Sequence, residues 1–309
     1  MSIKTDSTMS SLRQRMIEDM EARQLCVATQ RGHIHSCKRF NVFLNHSPSD
    51  ATVEDIRRFQ HHLSEEGLSI CNRNRVMTGV KFLVRITLRR LDLANEIYHL
   101  REPQKIPLVI SQDEAKRLLA MAKNLKIRVL LSLSYGCGLR ASEVVRLTVG
   151  DIDSAQNIIR VVQAKGRKDR HVMLSKELLK LLRQWWAERP TRYDKDIIPN
   201  ERLLFPGRNP GRPLTTRQFN RLFHEAADAA GITKPVTLHS LRHSFATHLL
   251  ERGVDIRHIQ ALLGHNKLDT TARYTRVATG MIASIESPLD VLTDASKQRK
   301  ARKRSTQAS

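Results

Sequence analysis

Between Thr52 and Gly67 the apolar side chains Ile56, Phe59 and Leu63 recur three and four positions apart, the spacing of one helix face. Thr52 followed by Asp55 is a capped start, and Gly67 is the stop. The same periodicity predicts a second helix from about Ser69 to Arg90. Val76, Val80, Leu83 and Val84 would face its core, with Arg73, Arg75, Lys81, Arg85 and Arg89 on its other faces. Ser111 and Glu114 form a second capping box at the head of a new helix. The period then switches: Asn157–Val162 and Arg170–Leu174 read as strands flanking Lys165–Asp169, a hairpin. Helices resume at about 176–188, 216–230, 237–252 and 255–263, the last two closed by Gly253 and Gly264. The fold class predicted is mainly α with one small β-sheet or hairpin. No internal repeat is visible.

Glu102–Pro107 is bracketed by prolines, which disfavour helix in the residue before them, so it reads as an extended connector. Three segments follow: a helical domain over 1–105, a mixed α/β domain over 106–290, and a tail over 291–309. The tail's Lys297–Arg304 stretch holds no apolar residue except Ala301 and reads as disordered. The chain has 309 residues and a formal net charge of +22, divided as +5, +12 and +5 over those segments. The folded body therefore carries most of the excess, and a polyanion is the partner it implies. With 40% hydrophobic and 27% charged residues, disorder throughout is excluded. No run approaches the length of a membrane span, and the N-terminus lacks the apolar stretch of a secretory signal. Cys26, Cys37, Cys71 and Cys137 form no C-x-x-C pair, which reads as reduced thiols in a cytoplasmic protein.

Candidate chemistry lies in the second domain. His239 and Arg242 are three apart on a helix and share a face, while Leu238, Leu241, Phe245 and Leu249 form its apolar stripe. His239 and His243, with His248 beyond, have spacing that metal ligands use. They lack the Glu of H-E-x-x-H, and no nearby carboxylate or Cys completes a set, so a metal is not expected. Upstream, Gly136-Cys137-Gly138 breaks an apolar run and delivers Arg140, with Glu143 three residues on. Downstream come Gly264-His265 and then Tyr274. Taken singly, each has a structural explanation: a helix-cap Arg, a core His, a half-buried Tyr.

In this order, Gly138-Leu-Arg-Ala-Ser-Glu143, the hairpin Lys165-Gly-Arg-Lys168, His239-Ser-Leu-Arg-His243, Leu262-Leu-Gly-His265 and Tyr274 resemble the tyrosine recombinase (phage integrase) family. The likeness covers about 110–280 and is nearest to Xer-type and mobile-element integrases; the first hundred residues look like the family's helical, SAM-like core-binding domain in outline. The resemblance implies a two-domain recombinase with Arg140, Lys165, His239, Arg242 and His265 as activating residues and Tyr274 as nucleophile. It also implies a 3′-phosphotyrosyl intermediate, formed and resolved without metal, ATP or other cofactor. Its partners would be double-stranded DNA carrying a specific recombination site and three further copies of the chain in a tetramer on synapsed DNA, with DNA-bending accessory proteins and no membrane. Lys168 competes with Lys165 for its role, and Glu143 either orients Arg140 or a His or is a plain helix residue. Met281–Leu292 either packs in place or passes to a neighbouring copy. Tyr135 reads as core, whereas Trp185 and Trp186 read equally as core or as DNA-facing. Two other readings stay open: a non-catalytic DNA-binding regulator, with Val254–Thr270 as a helix-turn-helix, and a type IB topoisomerase.

Overall fold

The computed structural model describes residues 3–103, 107–162, 169–192, 194–195 and 197–264. The chain divides into two compact units, Met1–Gln104 and Lys105–Ser309. Residues 104–106 of the expected connector, the hairpin tip with Lys165 and Lys168, Tyr193, and everything from His265 onward (Tyr274, Met281–Leu292 and the basic tail among them) lie outside the described residues.

The first unit is helical: α1 (Ile3–Ala22), α2 (Val27–Leu44), α3 (Val53–Glu65), α4 (Ile70–Phe82) and α5 (Leu91–Glu96). At the head of α3 the Asp55 amide donates to Thr52 Oγ1 and the Thr52 amide donates to Asp55, the reciprocal cap expected. Ile56, Phe59 and Leu63 are buried with Phe40, Val76, Val80 and Leu93. α2 and α4 cross closely, because a Cβ on Gly79 would stand only 2.6 Å from that of Ser36.

One helix expected over Ser69–Arg90 is two pieces. The α-helix ends at Phe82, and Leu83–Thr87 winds as a π-turn, with the Leu88 amide donating to the Leu83 carbonyl at 2.9 Å. The extra residue in that turn has a packing reason: Leu83 packs with Met16 and Met20 of α1, while Val84 belongs to the cluster around Phe59. The basic residues of this stretch also divide. Lys81 donates to the Ile97 carbonyl and Arg73 to Ser64, so both brace the unit, whereas Arg85 and Arg89 are exposed. Asn74 pairs with both backbone groups of Leu100, holding the departing chain along α4.

The second unit contains α6 (Gln112–Ala120), α7 (Leu125–Gly136), α8 (Ala141–Val144), β1 (Ile152–Asp153), β2 (Ile158–Val161), β3 (Arg170–Met173), α9 (Lys176–Glu188), α10 (Thr216–Ala229), α11 (Leu238–Glu251) and α12 (Ile256–Leu263). The strands form one antiparallel sheet in the order β1-β2-β3, with Val161 opposite Arg170. β1 is two residues long, too short for an alternating pattern to announce it. α7 is the central helix, buried at Ile127, Val129, Leu130, Leu131 and Leu133 and packed against α6, α9, α10 and α11.

Trp185 is buried and its Nε1 donates to the Leu204 carbonyl; Trp186 packs against the same core and carries the Arg189 guanidinium 3.7 Å above its ring. Both are therefore packing residues. Tyr135 is half-buried, with its hydroxyl 2.9 Å from His248 Nδ1. The Ile110 amide donates to Ser244 Oγ, so the chain entering this unit is fastened to α11. All four cysteines are free, and burial pushes the Cys37 and Cys137 thiols up to about 12. Among the described residues no helix is long and apolar enough to cross a membrane.

Candidate active site

Arg140 follows the break after α7. Gly138 has a φ of +61°, which suits glycine, and a Cβ there would lie 2.4 Å from the Phe245 ring. The turn it permits places Arg140 at the head of α8, where Glu143 binds it twice: the Arg140 amide donates at 2.8 Å and Nη1 at 2.7 Å. Arg242 comes to the same place from α11. Its guanidinium is fully buried, Nη1 donating to the Gly138 carbonyl at 2.7 Å and Nη2 to the Leu263 carbonyl at 2.5 Å. The last carbonyls of a helix are partners that favour a cation. Arg242 Nη1 also stands 3.9 Å from Glu143.

A third guanidinium completes the cluster. Arg170, the first residue of β3, clamps Glu143 with Nη1 at 3.0 Å and Nη2 at 2.7 Å, and its Nε donates to the Leu262 carbonyl. Burial alone would raise the Glu143 carboxyl. The hydrogen bond and charge of Arg170, then the bonds from Arg140, outweigh it and hold the group at about 2. One carboxylate is thus shared by guanidinium groups from α11, β3 and the head of α8.

His239 stands at the mouth of this cluster, beside a groove of about 430 Å³ that Arg140, Thr237, Arg217 and Asn220 also line. It reaches solvent on one side, yet burial first, and then the charges of Arg242 and Arg140, lower its pKa. Both causes favour the neutral ring, the form that can take a proton. His243 meets it edge-on, with ring centroids 4.4 Å apart.

Of the six site residues expected from the sequence, the structure brings Arg140, His239 and Arg242 together; Lys165, His265 and Tyr274 lie outside the described residues. Glu143 falls on the first of its two readings, as the residue that orients Arg140. Sequence reasoning missed Arg170 and the carbonyl roles of Gly138, Leu262 and Leu263. An isolated Arg at a strand start carries no signal of its own, although the glycine break did mark position 138.

The arrangement sets an expectation for Glu143→Gln. Removing the charge leaves buried cations without their carboxylate, a loss of about 3–5 kcal/mol. The folded pKa, about 2, lies below the unperturbed 4.5, so this stabilisation is present in full above about pH 4.5 and is lost as pH falls towards 2. Urea unfolding should therefore show a parent–variant gap that is constant above that window and shrinks within it. A gap that stays flat to pH 2 would remove the carboxylate from this role.

Residues 109–281 match the phage integrase family. The chain belongs to that family. Residues 12–91 match the N-terminal SAM-like domain found in phage integrases. This recombinase is 40% identical over 287 residues to y4qK of Sinorhizobium fredii, a protein assigned to the integrase/recombinases, covering 92% of this chain and 90% of that one. It is 37% identical over 231 residues to tyrosine recombinase XerA of Pyrococcus horikoshii, covering 74% and 77% of the two chains. A crystal structure of a lambda integrase dimer bound to a core site has the same fold, with a TM-score of 0.67, 18% identity, and 86% and 94% of the two chains covered. The recombinase is thus a DNA strand-transferring enzyme of the tyrosine class with a mainly helical, two-part architecture.

Proposed function

We propose that this recombinase cuts and rejoins DNA at a specific site through a 3′-phosphotyrosyl link to Tyr274. The observation that carries the reading is the meeting of Arg140 and Arg242 at one shared carboxylate, with His239 close enough to feel both charges. The Tyr274 oxygen attacks the scissile phosphorus while His239 takes the hydroxyl proton. The bond from phosphorus to the 5′-oxygen breaks, and Lys165 gives that oxygen a proton. Arg140 and His265 hold the phosphoryl oxygens, and the buried Arg242 adds its charge beside them, where negative charge builds in the transition state. The new phosphodiester keeps the energy of the old one, so a 5′-hydroxyl can attack it and rejoin the strand without ATP or a metal.

On this reading residues 1–105 form the core-binding domain, 106–290 the catalytic domain and 291–309 an appended basic tail. The excess positive charge of the body holds duplex DNA largely through its phosphates. The working assembly is a tetramer on two synapsed duplexes, in the cytoplasm where chromosomal or mobile-element DNA is found.

The test uses the full chain and a nicked duplex built on the sequence that the chain itself selects from a random pool. A DNA adduct that survives denaturation and maps by peptide analysis to Tyr274 is the expected result. Tight binding with no adduct would overturn the reading in favour of a non-catalytic regulator.

A further inference from the structure

We infer that Arg170 is a positioning residue for strand transfer: by taking one half of the Glu143 carboxylate's capacity, it keeps Arg140 from closing into a complete ion pair and leaves its guanidinium presented to the groove. The inference rests on the role given to Arg140 above.

The hydrogen-bond geometry carries it. An arginine and a carboxylate left alone tend to form two parallel bonds, fork to fork. In this site that fork belongs to Arg170, whose Nη1 and Nη2 meet the two carboxylate oxygens at 3.0 and 2.7 Å. Arg140 reaches Glu143 through its amide and a single side-chain nitrogen, Nη1. Its Nε and Nη2 have no partner among the described residues, and its side chain is 21% exposed against 7% for Arg170. One arginine is thus locked in the interior and the other is held by one edge at the groove.

Arg170 also joins three pieces of the unit. It begins β3, directly after the hairpin connection that holds Lys165 in the sequence. Its forked pair runs to α8, and its Nε bond runs to Leu262 at the end of α12, just ahead of His265. A residue needed only for stability would not require this: a buried ion pair is often replaceable by apolar side chains without loss.

Arg170→Met and Arg170→Lys, each alone and combined with Glu143→Gln, separate the two roles in the full chain. The probe is the nicked duplex described above, at saturating concentration, with adduct rate followed against pH. Among the described residues three charged groups face Glu143: Arg140 from its own helix, Arg170 from β3 and Arg242 from α11. The acid limb of the parent is assigned to His239, the proton acceptor of the proposed reaction. For Arg170→Met the expected loss of rate is on the order of tenfold to a hundredfold, with DNA half-saturation nearly unchanged. Its acid limb should also move to higher pH, because Glu143 loses the hydrogen bond and charge that do most to hold its carboxyl low, and the move should vanish when Glu143→Gln is added. Arg170→Lys should restore the parent limb while its rate stays low. Parent-like rates in both variants would overturn the inference, and so would a loss of rate that follows thermal unfolding with no movement of the limb. A parent chain that forms no adduct at Tyr274 would defeat the underlying reading instead, whatever Arg170 does.

Discussion

Tyr274→Phe will hold DNA as tightly as the parent chain and form no adduct. The substitution deletes one oxygen and keeps the ring, and affinity in a chain of net charge +22 rests on contacts to phosphates, which the change leaves in place. The loss should be complete because no described tyrosine can take over. The hydroxyl of Tyr135 is engaged with His248, and burial raises its pKa. Tyr98 is well exposed, but it belongs to the first unit and not to the one that holds the arginine cluster. A phenol with a pKa near 10 is a weak nucleophile until a base and a polarised phosphate activate it, so a displaced tyrosine gains nothing from being present. The measurement pairs a gel-shift titration with denaturing electrophoresis at one salt concentration. An adduct forming at anything near the parent rate would move the nucleophile elsewhere.

Arg242→Ala comes next in size. Losing a donor that meets transition-state charge costs on the order of a hundredfold to a thousandfold in rate. Here the side chain is also fully buried and spans two carbonyls, Gly138 and Leu263. Truncation leaves both acceptors unpaired at about 1–3 kcal/mol each, so the variant should also unfold at lower temperature. Cleavage must then be read at a temperature where circular dichroism shows the variant folded, under single turnover and at saturating DNA. Arg242→Lys keeps a charge but lacks the planar fork that reaches both carbonyls, and it should fall between parent and Ala. If Arg242→Ala weakened only DNA binding and left the saturated rate intact, Arg242 would be a binding residue and not part of the chemistry.

What the sequence disclosed follows the range over which each signal acts. The caps at Thr52 and Ser111 work within four residues, and both appear as expected. Lys176–Glu188 ends where its amphipathic pattern ends, and the left-handed backbone at Gly253 and Gly264 closes the two helices ahead of it. The π-turn at Leu83–Thr87 left no such trace, because its cause is two hydrophobic clusters supplied in part by distant α1 and α3. The same distinction divides the site. His239 and Arg242 share one helix and could be read as a pair, and Arg140 with Glu143 is another local pair. That the two pairs meet, and that they do so through Arg170, depends on contacts between elements that no periodicity records. Arg242 itself was expected at a phosphate, and its bonds to two main-chain carbonyls are equally invisible in the sequence.

Gly264 ends α12 at a φ of +63°, and a Cβ there would lie 2.9 Å from Cδ of Arg170. Two independent obstacles therefore guard one position, and only one of them is local. A lineage drifting away from glycine at 264 would need a residue that tolerates the left-handed backbone, and it would also need a shorter side chain at 170 already in place. The order of events is constrained: change at 170 opens the way for change at 264, whereas the reverse order passes through a clashing intermediate. Positions far apart in the chain are thus linked in one direction: residue 170 is free to shorten alone, whereas residue 264 gains its freedom only afterwards.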